Sequence, residues 1–160
     1  MKRNDVDKLL NLIIPKLYSF AYAMIQDDEQ AEQLIVDAYS VFLVRERNFI
    51  LDYDFKETKK DKTSFKNYLL INLIGELYRL RVKRNSELKQ LKRFSHGEYD
   101  SFYKLDVTQR SVLFLKENLK FNIELIQETL KLEKHQVLEQ LYNSRHRIVE
   151  TETTNNYGTF

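Results

Sequence analysis

The side chains with most chemical potential lie close together in the middle of the chain. Seven bases, Arg79, Arg81, Lys83, Arg84, Lys89, Lys92 and Arg93, face the single acid Glu87, so this stretch carries +6 in a chain whose formal net charge is only +2. A cationic cluster of that density binds polyanions, because each phosphate neutralised by Lys or Arg releases a condensed counterion. Just upstream stand Phe49, Tyr53 and Phe55, and then Tyr68. Such rings can hold bases taken out of a stack, since an unpaired base has no better place than an aromatic face. Lys59, Lys60 and Lys62 lie between them and add positive charge. All of this chemistry is non-covalent.

Covalent chemistry has little to work with. The chain has no cysteine and three glycines, so it lacks a thiolate site and a phosphate-cradling glycine loop. His96, His135 and His146 are isolated, with no second ligand at a zinc-binding spacing. No nucleophile and base or paired acids recur at a recognisable spacing, and Glu76 with Arg79 reads as an intrahelical ion pair. The expectation is a binding protein, not an enzyme, with no catalytic residue, cofactor or metal. No apolar run approaches the roughly 18 residues of a membrane span, and acids interrupt the basic start MKRNDVDKLLNLII. This favours a cytoplasmic protein without a membrane partner, and the lack of cysteine suits a reducing compartment.

The elements that must position these residues are helices. Proline occurs only at Pro15, and no segment alternates like a strand between turn residues. Leu10, Ile13, Ile14, Leu17, Phe20, Ala21 and Met24 form one helical stripe, with Pro15 either opening a new helix or kinking this one. Asp27 and Gln30 stand at capping-box spacing before a helix over Ala31 to Val44, which buries Ala31, Leu34, Ile35, Ala38 and Phe42. Its outward face mixes Glu32, Gln33, Asp37 and Tyr39, which a mere core helix seldom needs.

Asn48 to Lys62 loses helical period and reads as a long loop. Thr63 or Ser64 is expected to cap a helix from Phe65 to about Arg84, apolar all round except for a stripe of Tyr68, Asn72, Glu76, Arg79 and Lys83 left for water or a ligand. Asp106 with Gln109 caps a further helix, Asn118 marks a turn, and Ile123 to Leu130 and Glu133 to about Val149 form the last pair. Ile123, Ile126, Leu130, Leu132, Val137 and Leu141 have the apolar spacing of a helix-turn-helix. There, Gln136, Gln140 and Asn143 could reach base edges, and Lys134, Arg145 and Arg147 could reach phosphates. From Asp106 to Glu150 the charges balance, so this part would hold DNA more weakly than the central cluster.

The fold expected is therefore all-α, in two small helical domains. Residues 1–85 form the first, 86–104 a linker, 105–150 the helix-turn-helix domain and 151–160 a frayed tail.

In this order the blocks DDEQAEQLIVDAYSVFL, TSFKNYLLINLIGELYRLRVKR, DVTQRSVLFL and LIQETLKLEKHQVLEQLYNSRHRI resemble those of the short, extracytoplasmic-function sigma factors of bacterial RNA polymerase. The resemblance implies a protein that binds core RNA polymerase and directs it to promoter DNA. It implies polymerase docking through Glu32, Gln33, Val36, Asp37 and Tyr39, and promoter contacts from Tyr68, Asn72, Arg79, Arg81, Lys83 and Arg84. It further implies strand capture by Phe49, Tyr53 and Phe55, upstream contacts from Lys134, Gln136, Gln140, Asn143 and Arg147, and an anti-sigma-type antagonist as a possible further partner. The sequence departs from the family's pattern at Ile71, Gly75 and Glu139, among other positions. Two alternatives stay open: a degenerate relative acting as adaptor or competitor on the polymerase, and a helical protein-interaction module.

Overall fold

In a computed structural model the described residues are 3–52, 59–87 and 100–157, with side chains described for 5–50, 63–84 and 101–153. Every regular element among them is a helix, as expected for an all-α protein. The chain divides into two compact units, Met1–Leu80 and Arg81–Phe160.

In the first unit α1 spans Arg3–Ile25 as one helix with Pro15 inside it. Proline lacks an N–H, so the carbonyl of Asn11 loses its intrahelical donor. The helix continues because Ile13, Leu17, Phe20, Ala21 and Met24 are buried on one stripe through the proline turn. It ends at Gln26, whose left-handed backbone (φ 57°) turns the chain and whose N–H donates to the Tyr22 carbonyl at 2.7 Å. Asp27 then caps α2 (Asp28–Arg45), its carboxylate accepting from the Gln30 N–H at 3.0 Å. Ala31, Leu34, Ala38 and Phe42 face the core, and α2 packs on α1.

Within the expected loop from Asn48 to Lys62 the described residues, 48–52 and 59–62, are helical instead. Arg47–Asp52 form α3, and α4 runs Lys59–Glu87. Alternating aromatic and charged residues hide the helical period there, whereas lysine-rich Lys59 to Lys62 favours helix through propensity alone. Thr63 and Ser64 are therefore exposed residues of an established helix and not its cap. Phe65, Leu69, Leu73, Ile74 and Leu77 of α4 complete the first core.

The second unit contains α5 (Asp100–Tyr103), α6 (Val107–Glu117), α7 (Ile123–Leu130) and α8 (Lys134–Tyr157). Asp106 and Gln109 form the expected capping box: the Gln109 N–H donates to Asp106 at 2.8 Å, and the Asp106 N–H to Gln109 Oε1 at 3.3 Å. Asn122 caps α7 in the same way, accepting from the Leu125 N–H at 2.8 Å. Lys131 adopts the left-handed conformation (φ 56°), and the turn 131–133 delivers the chain into α8. Val112, Leu115, Ile126, Leu130, Val137 and Leu141 meet in the core of this unit.

The buried Gln109 also ties α6 to α8, accepting from Arg147 Nη1 at 3.3 Å while its carbonyl accepts from the buried Ser144 hydroxyl at 3.5 Å. Helix α8 runs well past Val149, so most of the tail expected to fray is helical. Thr151 and Thr153 return their hydroxyls to the carbonyls of Arg147 (2.8 Å) and Val149 (2.6 Å), which offsets their poor helix propensity. Both ends of the expected linker are helical too: Ser86 and Glu87 belong to α4, and Asp100 to Tyr103 form α5.

Candidate interaction surfaces

Two surfaces of the first unit bear on function. The outward side of α2 lies beside an open apolar groove of about 340 Å³, floored by Leu17, Ala38, Leu73 and Leu77 and lipped by Leu10, Ile14, Ile35, Val36 and Tyr39. Val36 is 57 % exposed and Ile14 43 %. Asp7 and Asn11 add polar atoms at one edge. Glu32 and Gln33 are exposed alongside, and the Gln33 amide donates to Asp37 Oδ1 at 2.8 Å, fixing that carboxylate on the helix surface. Nearby, the Tyr18 hydroxyl donates to Asp28, and this bond, more than burial or the charge of Glu32, pushes the phenol pKa up to about 12. Five sequence-expected residues, Glu32, Gln33, Val36, Asp37 and Tyr39, thus share α2, and Val36 and Tyr39 line the groove. Ile14 and Leu10 were missed as partners; the only signal for them was that Ile13 and Ile14 are consecutive, so a helix can bury only one of the two fully.

The second surface surrounds Tyr68. Its ring packs against Phe49 (4.8 Å between centroids), Phe65 (5.9 Å) and Phe42 (6.2 Å). Its hydroxyl donates to Glu46 Oε2 at 2.8 Å. Arg45 donates from Nε to Glu46 Oε1 at 2.9 Å and from Nη1 to Glu76 Oε2 at 2.7 Å. Arg79 donates to the other oxygen of Glu76 through Nε at 2.9 Å and also through Nη2. The Glu76 side chain is only 1 % exposed. The stripe expected to face water is thus partly consumed inside the unit: two arginines hold a buried carboxylate, and Glu46 holds the tyrosine. The expected Glu76–Arg79 pair is present, but Arg45, 31 residues before Glu76, was invisible to local spacing. Asn72 lies on the same helix, its amide donating to the Tyr68 carbonyl at 2.9 Å.

The carboxyl of Glu46 is held below the usual carboxylate range, first by Arg45 and then by Tyr68. Burial, then the bond to Glu46, raises the Tyr68 phenol above its ordinary value. A lowered carboxyl pKa contributes stability that is present above the unfolded value and lost as pH falls through the folded one. Removing one donor with Tyr68→Phe should therefore lower the melting temperature most above about pH 5, with the gap to wild type closing towards about pH 3. Thermal melts of the two proteins across that range check this; a gap independent of pH contradicts it.

Phe49 lies against Tyr68, whereas Tyr53 and Phe55 lie outside the described residues, as do Lys89, Lys92 and Arg93. Of the remaining bases, Lys83 is exposed and Arg84 half-buried. Arg81 is half-buried, its guanidinium pKa lowered by burial and then by Arg84. In the second unit Arg110 sits over the Tyr103 ring at 5.7 Å. Gln140 and Asn143 are half-buried and Lys134 exposed on α8. Gln136 accepts the Glu133 N–H at 2.8 Å, so its amide oxygen caps α8. Among the described residues no group of three His, Cys, Asp or Glu side chains is placed to hold a metal ion, and no helix is long and apolar enough to cross a membrane.

Two solved structures share this architecture. One is the sigma factor RpoE of Bartonella quintana, in complex with the anti-sigma factor NepR, at a TM-score of 0.61 and 18 % identity over 91 % of this chain and 95 % of that one. The fold is sigma-factor-like. The other is the anti-anti-sigma factor PhyR of the same organism, complexed with NepR, at a TM-score of 0.61 and 13 % identity over 91 % of this chain and 50 % of that one. No protein-family model and no curated protein matches the sequence.

Proposed function

We propose that this chain is a sigma-like transcription initiation protein that binds core RNA polymerase through α2 and directs it to promoter DNA. The observation that carries this reading is the open groove between α1 and α2. It lies on the helix to which the sequence resemblance assigns docking, with Val36 at its lip and Glu32 and Asp37 beside it. An apolar patch rimmed by charge is the ordinary make-up of a protein-binding site. In this reading Ile14 and Val36 enter the partner, while Glu32, Gln33 and Asp37 select for a basic complement.

Promoter contact would fall to a stacking platform of Tyr68 and Phe49 in the first unit and, separately, to Arg81, Lys83 and Arg84 in the second. The α7–α8 pair would act as a helix-turn-helix giving a weaker upstream contact through Lys134, Gln140, Asn143 and Arg147. The fold shared with RpoE and PhyR, both seen with NepR, supports an anti-sigma-type protein as a second partner. The α1–α2 groove is where such an antagonist would compete with polymerase.

A second reading has specific support. Tyr68, Asn72, Arg79, Gln136 and Arg147, all expected at DNA, make bonds within the protein. A chain that kept the polymerase surface while its promoter-reading groups became structural would act as an adaptor or competitor. Incubating the purified chain with core polymerase, then measuring both co-purification and runoff transcripts, separates the two. Defined start sites support promoter direction; binding without them supports the adaptor; failure to bind polymerase contradicts both.

A further inference from the structure

Helix α8 carries an apolar seam that its own unit leaves uncovered. Leu138 is 47 % exposed, Tyr142 70 % and Val149 60 %. With Arg145 and His146 they edge a shallow depression of about 370 Å³ beside Leu141. The Tyr142 and His146 rings stack at 6.1 Å. Leu138, Tyr142, Arg145 and Val149 follow one another at steps of four, three and four residues, the alternation of a coiled-coil seam. One step further in each direction the same seam meets His135 and Glu152, both exposed. At about 100° per residue this seam lies roughly 150° around α8 from Gln136, Asn143 and Arg147.

We infer that this seam is a self-association surface on which α8 of a second copy lies antiparallel. The sequence of the seam is complementary to its own reverse. A two-fold axis between Asn143 and Ser144 sets Leu138 against Val149, Tyr142 against Arg145, and His135 against Glu152, each pair occurring twice. Apolar meets apolar, the tyrosine ring meets a guanidinium, and an imidazole meets a carboxylate. On the open flank Glu139 comes opposite His146.

Other registers lose these matches. A parallel pair sets Arg145 against Arg145. A slip of one heptad sets Tyr142 against Glu152 and Arg145 against Val149, and the opposite slip sets His135 against Arg145. Arg145 also pairs with Glu117 at 2.5 Å, but both side chains are about half exposed, and a pair of that kind yields readily to a new contact.

The seam from His135 to Glu152 spans only about 27 Å. A single helix pair of that length buries less than the roughly 1,200 Å² of a standard interface, so the dimer is transient. Sedimentation of the full chain from about 5 to 500 µM should show the average mass rising from one chain towards two, with half-association in the tens to hundreds of micromolar. Tyr142→Glu should weaken association at least about tenfold with an unchanged melting temperature, since this residue is exposed. His135→Glu and Glu152→Lys should each weaken it, and the two together should restore it, because the swap rebuilds the pair across the axis. A monomer at every concentration, a dimer indifferent to Tyr142→Glu, or a double swap no better than the singles overturns the inference. So does a monomeric wild type in which Tyr142→Glu abolishes binding to duplex DNA, which would assign the seam to nucleic acid.

Discussion

The Arg45→Ala/Arg79→Ala double variant should lose about 3–5 kcal/mol of stability, the range found when a buried ionised group is left without its partner. Glu76 is a carboxylate with almost no access to water, and its oxygens are divided between the two arginines. Either single variant leaves one guanidinium in place and should cost less, about 0.5–1.5 kcal/mol, the net worth of one hydrogen bond. The two losses together should exceed the sum of the singles, because the second removal strands the charge. Replacing all three residues, with Glu76→Leu and both arginines changed to Met, removes the charge as well as its partners and should recover most of the loss. Urea unfolding of the wild type and the four variants checks this ordering. A double variant losing no more than about 1 kcal/mol would show the carboxylate to be solvated, and the network to be a surface feature.

The second large effect concerns binding. Ile14→Asp/Val36→Asp places two carboxylates on the lip of the α1–α2 groove, where the proposed partner would have to desolvate them. Affinity for core polymerase should fall at least about a hundredfold, as for loss of a central apolar anchor. Both side chains are largely exposed, so the melting temperature should stay close to wild type. A titration with labelled core polymerase and a melt of the same preparation read the two quantities independently. Equal affinity in the variant would move the docking surface elsewhere on the chain.

Local pattern revealed the capped, periodic elements well. The caps at Asp27 and Asp106, the buried stripe of α2 and the α7–α8 pair all follow from apolar spacing and a side-chain oxygen near free N–H groups. Helix α3 and the start of α4 did not, because charges alternating with rings obscure the period while propensity and packing still favour helix. The extended α8 was missed for a similar reason: Thr and Asn read as tail composition, yet threonine hydroxyls can return to the preceding turn.

At the candidate sites, residues on one helix face were legible and pairings across the fold were not. Val36 and Tyr39 could be placed from their own helix, but their groove also needs Leu10 and Ile14 from α1. Tyr68 was legible as a lone aromatic on a polar stripe, while Glu46, 22 residues earlier, carried no mark of being its acceptor. A charge on a helix face reads as solvated until the fold brings its opposite to it. Gln136 illustrates the same limit at short range, since an amide suited to adenine is equally suited to closing the first turn of its own helix.

The claim that the groove between α1 and α2 holds the transcription machinery is tested most directly by crosslinking from within it. A photoreactive benzoylphenylalanine in place of Val36, irradiated with core polymerase, should attach the chain to a polymerase subunit. Excess unlabelled chain should suppress the product, and the same probe in place of Lys16, an exposed position outside the groove lining, should give little. Strong crosslinks from position 16 and none from position 36 would contradict the account.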